Sequence, residues 1–100
     1  MEASVRSDEV ARLIAQAHPG WTAEAVSQQA LRCAATMDER LLPLVREHID
    51  TGATPNFRHE EFSLVQIQRL SHGRSYIDAL ILMDAYLKDE EAARARILRR

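Results

Sequence analysis

Four histidines, one cysteine and fifteen carboxylates are the groups in this chain that could do chemistry. His18, His48, His59 and His72 have neither the close paired spacing nor the cysteine partners of a zinc site. His59-Glu60-Glu61 is the densest run of possible ligands, but three consecutive residues on a loop are too crowded to form a motif. His48 falls on an apolar helical stripe, so a core imidazole bonded to a carbonyl is the expected state. Cys33 lies among alanines on the same stripe and should behave as a small apolar residue. With no partner cysteine it forms no internal disulfide, which suits a reducing compartment. Three isolated glycines provide no phosphate-cradling loop. Asp84 is the one carboxylate placed for a semi-buried acid–base role; its spacing to Lys88 gives the plainer expectation of an i to i+4 ion pair. The residues therefore predict a protein that is not an enzyme and that has no metal or cofactor site.

Nucleic-acid binding is the sharpest alternative. Residues 63–88 have the outline of a helix–turn–helix, with Arg69, His72 and Arg74 around the turn as candidate phosphate or base contacts. The second helix, however, opens Tyr76-Ile77-Asp78-Ala79-Leu80-Ile81. A recognition helix needs polar or basic groups at that end. Arg69 also stands where the usual tight turn takes a small residue. The net charge is −2 and the basic residues are scattered from Arg6 to Arg100, without the stripe that phosphate binding favours. Twelve of the thirteen basic residues are arginine, which points to a genome rich in G and C; a bacterial-type protein is expected. Arg94, Arg96, Arg99 and Arg100 fall towards a helix end, where the macrodipole accounts for them.

The elements that would position these groups are helical. Alanine, leucine, glutamate and arginine are plentiful, glycine and proline are rare, and β-branched runs are absent. A first helix starts near Ser7, with Asp8 and Glu9 in its first turn and Val10, Leu13, Ile14 and Ala17 on one face. His18-Pro19-Gly20 stops it, and Trp21 follows as an expected packing anchor. Thr22 caps the next helix. Its stripe runs Ala23, Val26, Ala30, Cys33, Ala34, Met37, Leu41, Leu44, Val45, His48. The phase holds through Pro43, which predicts one long helix over 23–50, bent at Pro43. A break near 36–39, with Asp38 as the new cap, is the alternative. Gly52 closes the segment. Residues 53–61 read as a loop that tucks Phe57 into the core.

Ser63-Leu64-Val65-Gln66 matches a capping box, and Phe62 with Ile67 matches a hydrophobic staple. The short helix that follows should end at Gly73. Ser75-Tyr76-Ile77-Asp78 is a second capping box. It opens a helix over 76–88 that is apolar on most sides, as a central or partner-bound helix is. Asp89-Glu90-Glu91 opens a last helix that Ala93 and Ile97 dock.

One hundred residues make one domain, here 1–100. The fold expected is all-α: a compact bundle of four or five helices with a long second helix and a C-terminal helical hairpin. The opening residues Met1 to Arg6 lack a signal-peptide core and no apolar run is long enough for a membrane, so a cytoplasmic location is expected. The function expected is a small protein–protein interaction or accessory regulatory module. Its partner is expected to be a protein, most simply a second copy in a homodimer. Ile77, Ile81, Asp84 and Lys88 are the candidate interaction surface.

Overall fold

The computed structural model describes residues 7–70 and 75–98. Among these the chain forms six helices and one two-stranded ribbon. Helix α1 spans Ser7–Ala17 and buries Val10 and Ile14. His18 N–H closes its last turn on the Ile14 carbonyl at 2.9 Å. Helix α2 spans Ala23–Thr36. Thr22 is extended, and its Oγ1 accepts the Ala25 N–H at 3.1 Å, which satisfies one of the orphan donors of a helix start. Helices α1 and α2 pack side by side.

The long helix expected over 23–50 does not form. Helix α2 ends at Thr36, and α3 spans Leu42–Thr51. The reason is local chemistry around Asp38. Met37 is extended. The Asp38 carboxylate accepts the Arg40 N–H at 2.8 Å and its Nε at 3.0 Å, and the Asp38 carbonyl accepts the Leu41 N–H at 2.9 Å. Asp38 therefore builds the turn, while Leu41 is the capping residue of α3, without a side-chain cap bond. Pro43 lies in the first turn of α3, where its missing N–H has no intrahelical partner to lose. The apolar stripe misled because burial keeps its phase across the break: Cys33, Met37, Leu41 and Val45 are all buried.

Gly52 ends α3 in the left-handed region at φ 78°, the conformation a glycine C-cap adopts most easily. The expected loop over 53–61 contains a strand. Arg58–His59 (β1) pairs antiparallel with Phe62–Ser63 (β2). Phe57 is half-buried against the core. Helix α4 spans Leu64–Leu70, and its capping box is complete. Ser63 Oγ accepts the Gln66 N–H at 3.2 Å, and Gln66 Oε1 accepts the Ser63 N–H at 3.1 Å. Phe62 and Ile67, the staple pair, are both buried. Gly73, expected to end this helix, lies outside the described residues.

Helix α5, Tyr76–Lys88, is the centre of the molecule. Seven of its thirteen residues are buried, and it packs against α1, α4 and α6. Helix α6 spans Glu90–Leu98 and docks through Ala93 and Ile97, each 1% exposed. The buried side chains form one cluster to which every helix contributes. Complete burial of a side chain such as Leu80 or Ile14 contributes about 1.5–3 kcal/mol. The radius of gyration is 12.8 Å, close to the ~13 Å of a folded chain of this length. No described helix is long and apolar enough to cross a membrane.

Candidate interaction surface

Trp21, expected as a packing anchor, is instead largely on the surface, 44% exposed. The Pro19-Gly20 turn between α1 and α2 carries it outward. Its N–H bonds the His18 carbonyl at 3.0 Å, so the turn closes back on the end of α1. Its indole lies almost parallel to the His18 imidazole, with ring centroids 4.1 Å apart and an interplanar angle of 12°.

His18 is fixed in turn. Its Nε2–H donates to Asp78 Oδ1 at 2.9 Å. Asp78 belongs to the first turn of α5, where the Ser75 hydroxyl donates to Asp78 Oδ2 at 2.8 Å and Ser75 Oγ accepts the Asp78 N–H at 3.1 Å. The second capping box thus does more than start a helix. It presents a carboxylate that orients an imidazole, which supports an exposed indole. Serine, aspartate and histidine meet here, but the aspartate lies between the other two. The serine hydroxyl therefore donates to a carboxylate and has no base positioned to activate it.

Two concave surfaces flank the indole. One, of about 440 Å³, runs between α1 and α2 and includes Arg12, His18, Pro19 and Ser27. The other, of about 380 Å³, is lined by Trp21, Thr22, Ala25, Gln28, Gln29 and Arg32. Arg12 and Arg32 are both exposed, so each groove has a guanidinium at its margin, accompanied in the first by the Asp8 carboxylate.

The residues proposed from the sequence as an interaction surface lie elsewhere. Ile77 is 2% exposed and packs among Val10, Met37, Leu42 and Val45. Ile81 is half-buried against the same core. Asp84 Oδ1 accepts the Asp38 N–H at 2.7 Å, and Asp84 Oδ2 pairs with Lys88 Nζ at 2.9 Å. Lys88 also donates to the Thr36 carbonyl. Asp84 and Lys88 thus hold the α2–α3 turn onto α5, and the i to i+4 pair is part of a larger clamp. Arg69 is exposed in the last turn of α4, while His72 and Arg74 lie outside the described residues.

The other reactive groups are accounted for by packing. His48 Nδ1–H donates to the Ala53 carbonyl at 2.8 Å, and its ring lies 4.7 Å from that of Tyr76. Cys33 is buried and accepts a long contact from Gln29 Nε2 at 3.8 Å; burial pushes its thiol up, away from a reactive thiolate. The side-chain bond to Arg40 holds the Asp38 carboxyl below its usual range.

The sequence offered little sign of the Trp21 surface. The pair that fixes it, His18 and Asp78, is sixty residues apart. The only local signal is the succession His18-Pro19-Gly20-Trp21, which places an aromatic residue beside an imidazole in a tight turn. No family model, no curated protein and no solved structure matches this chain.

Proposed function

We propose that this chain is a small helical protein–protein interaction module that docks a partner protein on the face centred on Trp21. One observation carries the reading: the indole is exposed yet held in a fixed orientation by the His18 stack and, through it, by Asp78. Tryptophan is enriched among the residues that dominate binding energy at interfaces. An anchor already held in place loses little conformational freedom on docking, which favours affinity. The grooves on either side would receive partner side chains, and Arg32, the charged residue lining the second groove, favours a partner that brings a carboxylate there.

A homodimer through the other side of α5 has less support, because Ile77 is internal to its own chain and Asp84 and Lys88 are engaged with the α2–α3 turn. The DNA-binding alternative is also less well supported. Tyr76 and Ile77, at the start of the would-be recognition helix, are 5% and 2% exposed and leave little for a groove to meet.

The test is capture from the native host's extract on immobilised protein, comparing wild type, Trp21→Ala and Val65→Ala. Val65 is an exposed apolar residue on α4 and serves as the control. A partner retained by wild type and Val65→Ala but lost with Trp21→Ala is the expected result. Trp21→Ala should lower unfolding free energy by about 1 kcal/mol through loss of the His18 stack, too little to unfold the chain. Equal capture by all three proteins would remove this face from the function.

A further inference from the structure

We propose that His59, Glu60 and Glu90 form a binding site for a single divalent transition-metal ion of the zinc class. The site is separate from the Trp21 surface, and its failure would leave that reading untouched. One imidazole nitrogen and one oxygen from each carboxylate all lie within 4.8 Å of one another. Around a tetrahedral ion with ligand bonds of about 2.0–2.2 Å, ligand atoms stand about 3.4 Å apart. Small rotations of three surface side chains close that difference.

The three groups come from two elements that meet over one buried ring. His59 ends β1, Glu60 begins the turn to β2, and Glu90 begins α6. Beneath them is Tyr86, 0% exposed. Its hydroxyl donates to Glu60 Oε1 at 3.3 Å, and the His59 ring stands edge-on to it at 5.6 Å. An outer hydrogen bond of this kind orients a metal-binding carboxylate before the ion arrives. Glu60 has φ 54°, at a tight-hairpin position where glycine would be free of strain.

The imidazole and the two carboxylates converge on one point, and a dication there would relieve the repulsion between the carboxylates. Arg94 is the adverse charge nearby, and its guanidinium is engaged by Glu61. The imidazole sets the metal class, because magnesium and calcium prefer oxygen ligands alone. Three protein ligands leave one tetrahedral position for water, which is the pattern of an open site.

Isothermal titration of the whole chain with zinc chloride, and separately with magnesium chloride, tests this. One zinc per chain is expected, with affinity about tenfold or more lower in His59→Gln and in Glu90→Gln. Cobalt should give the intense visible absorption of a tetrahedral ion with wild type and lose it with either variant. Circular dichroism checks that both variants fold. Three outcomes would overturn the proposal: no zinc binding, zinc binding unchanged in His59→Gln because it resides on the other histidines, or magnesium binding as tightly as zinc, the behaviour of a plain acidic patch.

Discussion

Tyr76 joins three parts of the chain through one side chain. Its hydroxyl donates to the Pro55 carbonyl at 2.5 Å, and its ring packs on His48, which in turn holds the Ala53 carbonyl. The start of α5 and the end of α3 are thereby tied to the segment between them. Burial, with Glu47 adding to it, pushes the phenol from 10.0 up to about 12. A folded-state value above the unfolded one means that the contribution is fully present below pH 10.0 and is lost as pH rises through about 12. Tyr76→Phe should lower unfolding free energy at neutral pH by about 1 kcal/mol, the net value of one hydrogen bond. Chemical denaturation across alkaline pH should show the gap to wild type closing in that window. A gap that stayed constant to the upper end of the window would show that the phenol ionises no differently when folded. The residual alkaline loss in the variant belongs to Tyr86 and Cys33, whose phenol and thiol burial also pushes up.

At the scale of elements, boundaries set by neighbours in sequence were legible and boundaries set by distant groups were not. Thr22, the Ser63–Gln66 box, Ser75 and Gly52 all act where the spacing placed them. A cap involves a side chain and a backbone group only a few residues apart. The break between α2 and α3 depends partly on Asp84, forty-six residues from Asp38, and the apolar period gave no sign of it. Pro43 and Gly52 together test the boundary that replaced the long helix. Pro43→Ala should change stability by less than about 0.5 kcal/mol, since its N–H would fall in the first turn. At the centre of one continuous helix the same change would gain about 3 kcal/mol. Gly52→Ala should lose about 1 kcal/mol from its left-handed backbone alone, because a Cβ there meets nothing within 4 Å. Urea unfolding of both variants reads the two values. A large gain from Pro43→Ala would restore the bent helix.

At the scale of the whole molecule, the expectation of an all-α fold holds, with six helices among the described residues in place of four or five and with a small ribbon besides. The apolar wrap of α5 suggested surface left over for a second chain. The structure surrounds that helix with α1, α4 and α6 of its own chain, so the excess is absorbed internally. Among the described residues, the large apolar side chains left exposed are Trp21, Leu31, Val65, Leu70 and Leu98, drawn from several elements. Light scattering is therefore expected to give the mass of one chain, 11.4 kDa, at all concentrations. A doubled mass that Trp21→Ala returned to 11.4 kDa would make a second copy the partner of the Trp21 face. A doubled mass indifferent to Trp21 would return the α5 face to consideration. The Trp21 surface was hidden in the sequence for the same reason as the helix break. Its support, Asp78, looks from nearby residues like a helix-starting acid and nothing more.

That double employment of Asp78 limits how the chain can vary over generations. One carboxylate closes the start of the central helix through Ser75 and sets the imidazole under Trp21. Asparagine would keep a polar group in the first turn of α5 but supply no charge opposite His18; glutamate would keep the charge but place it one carbon further out. Neither replacement meets both demands. Under the proposed docking role, a lineage drifting towards a new partner is freer to alter the margins of the grooves at Arg12, Gln28 and Arg32 than to move the indole between them.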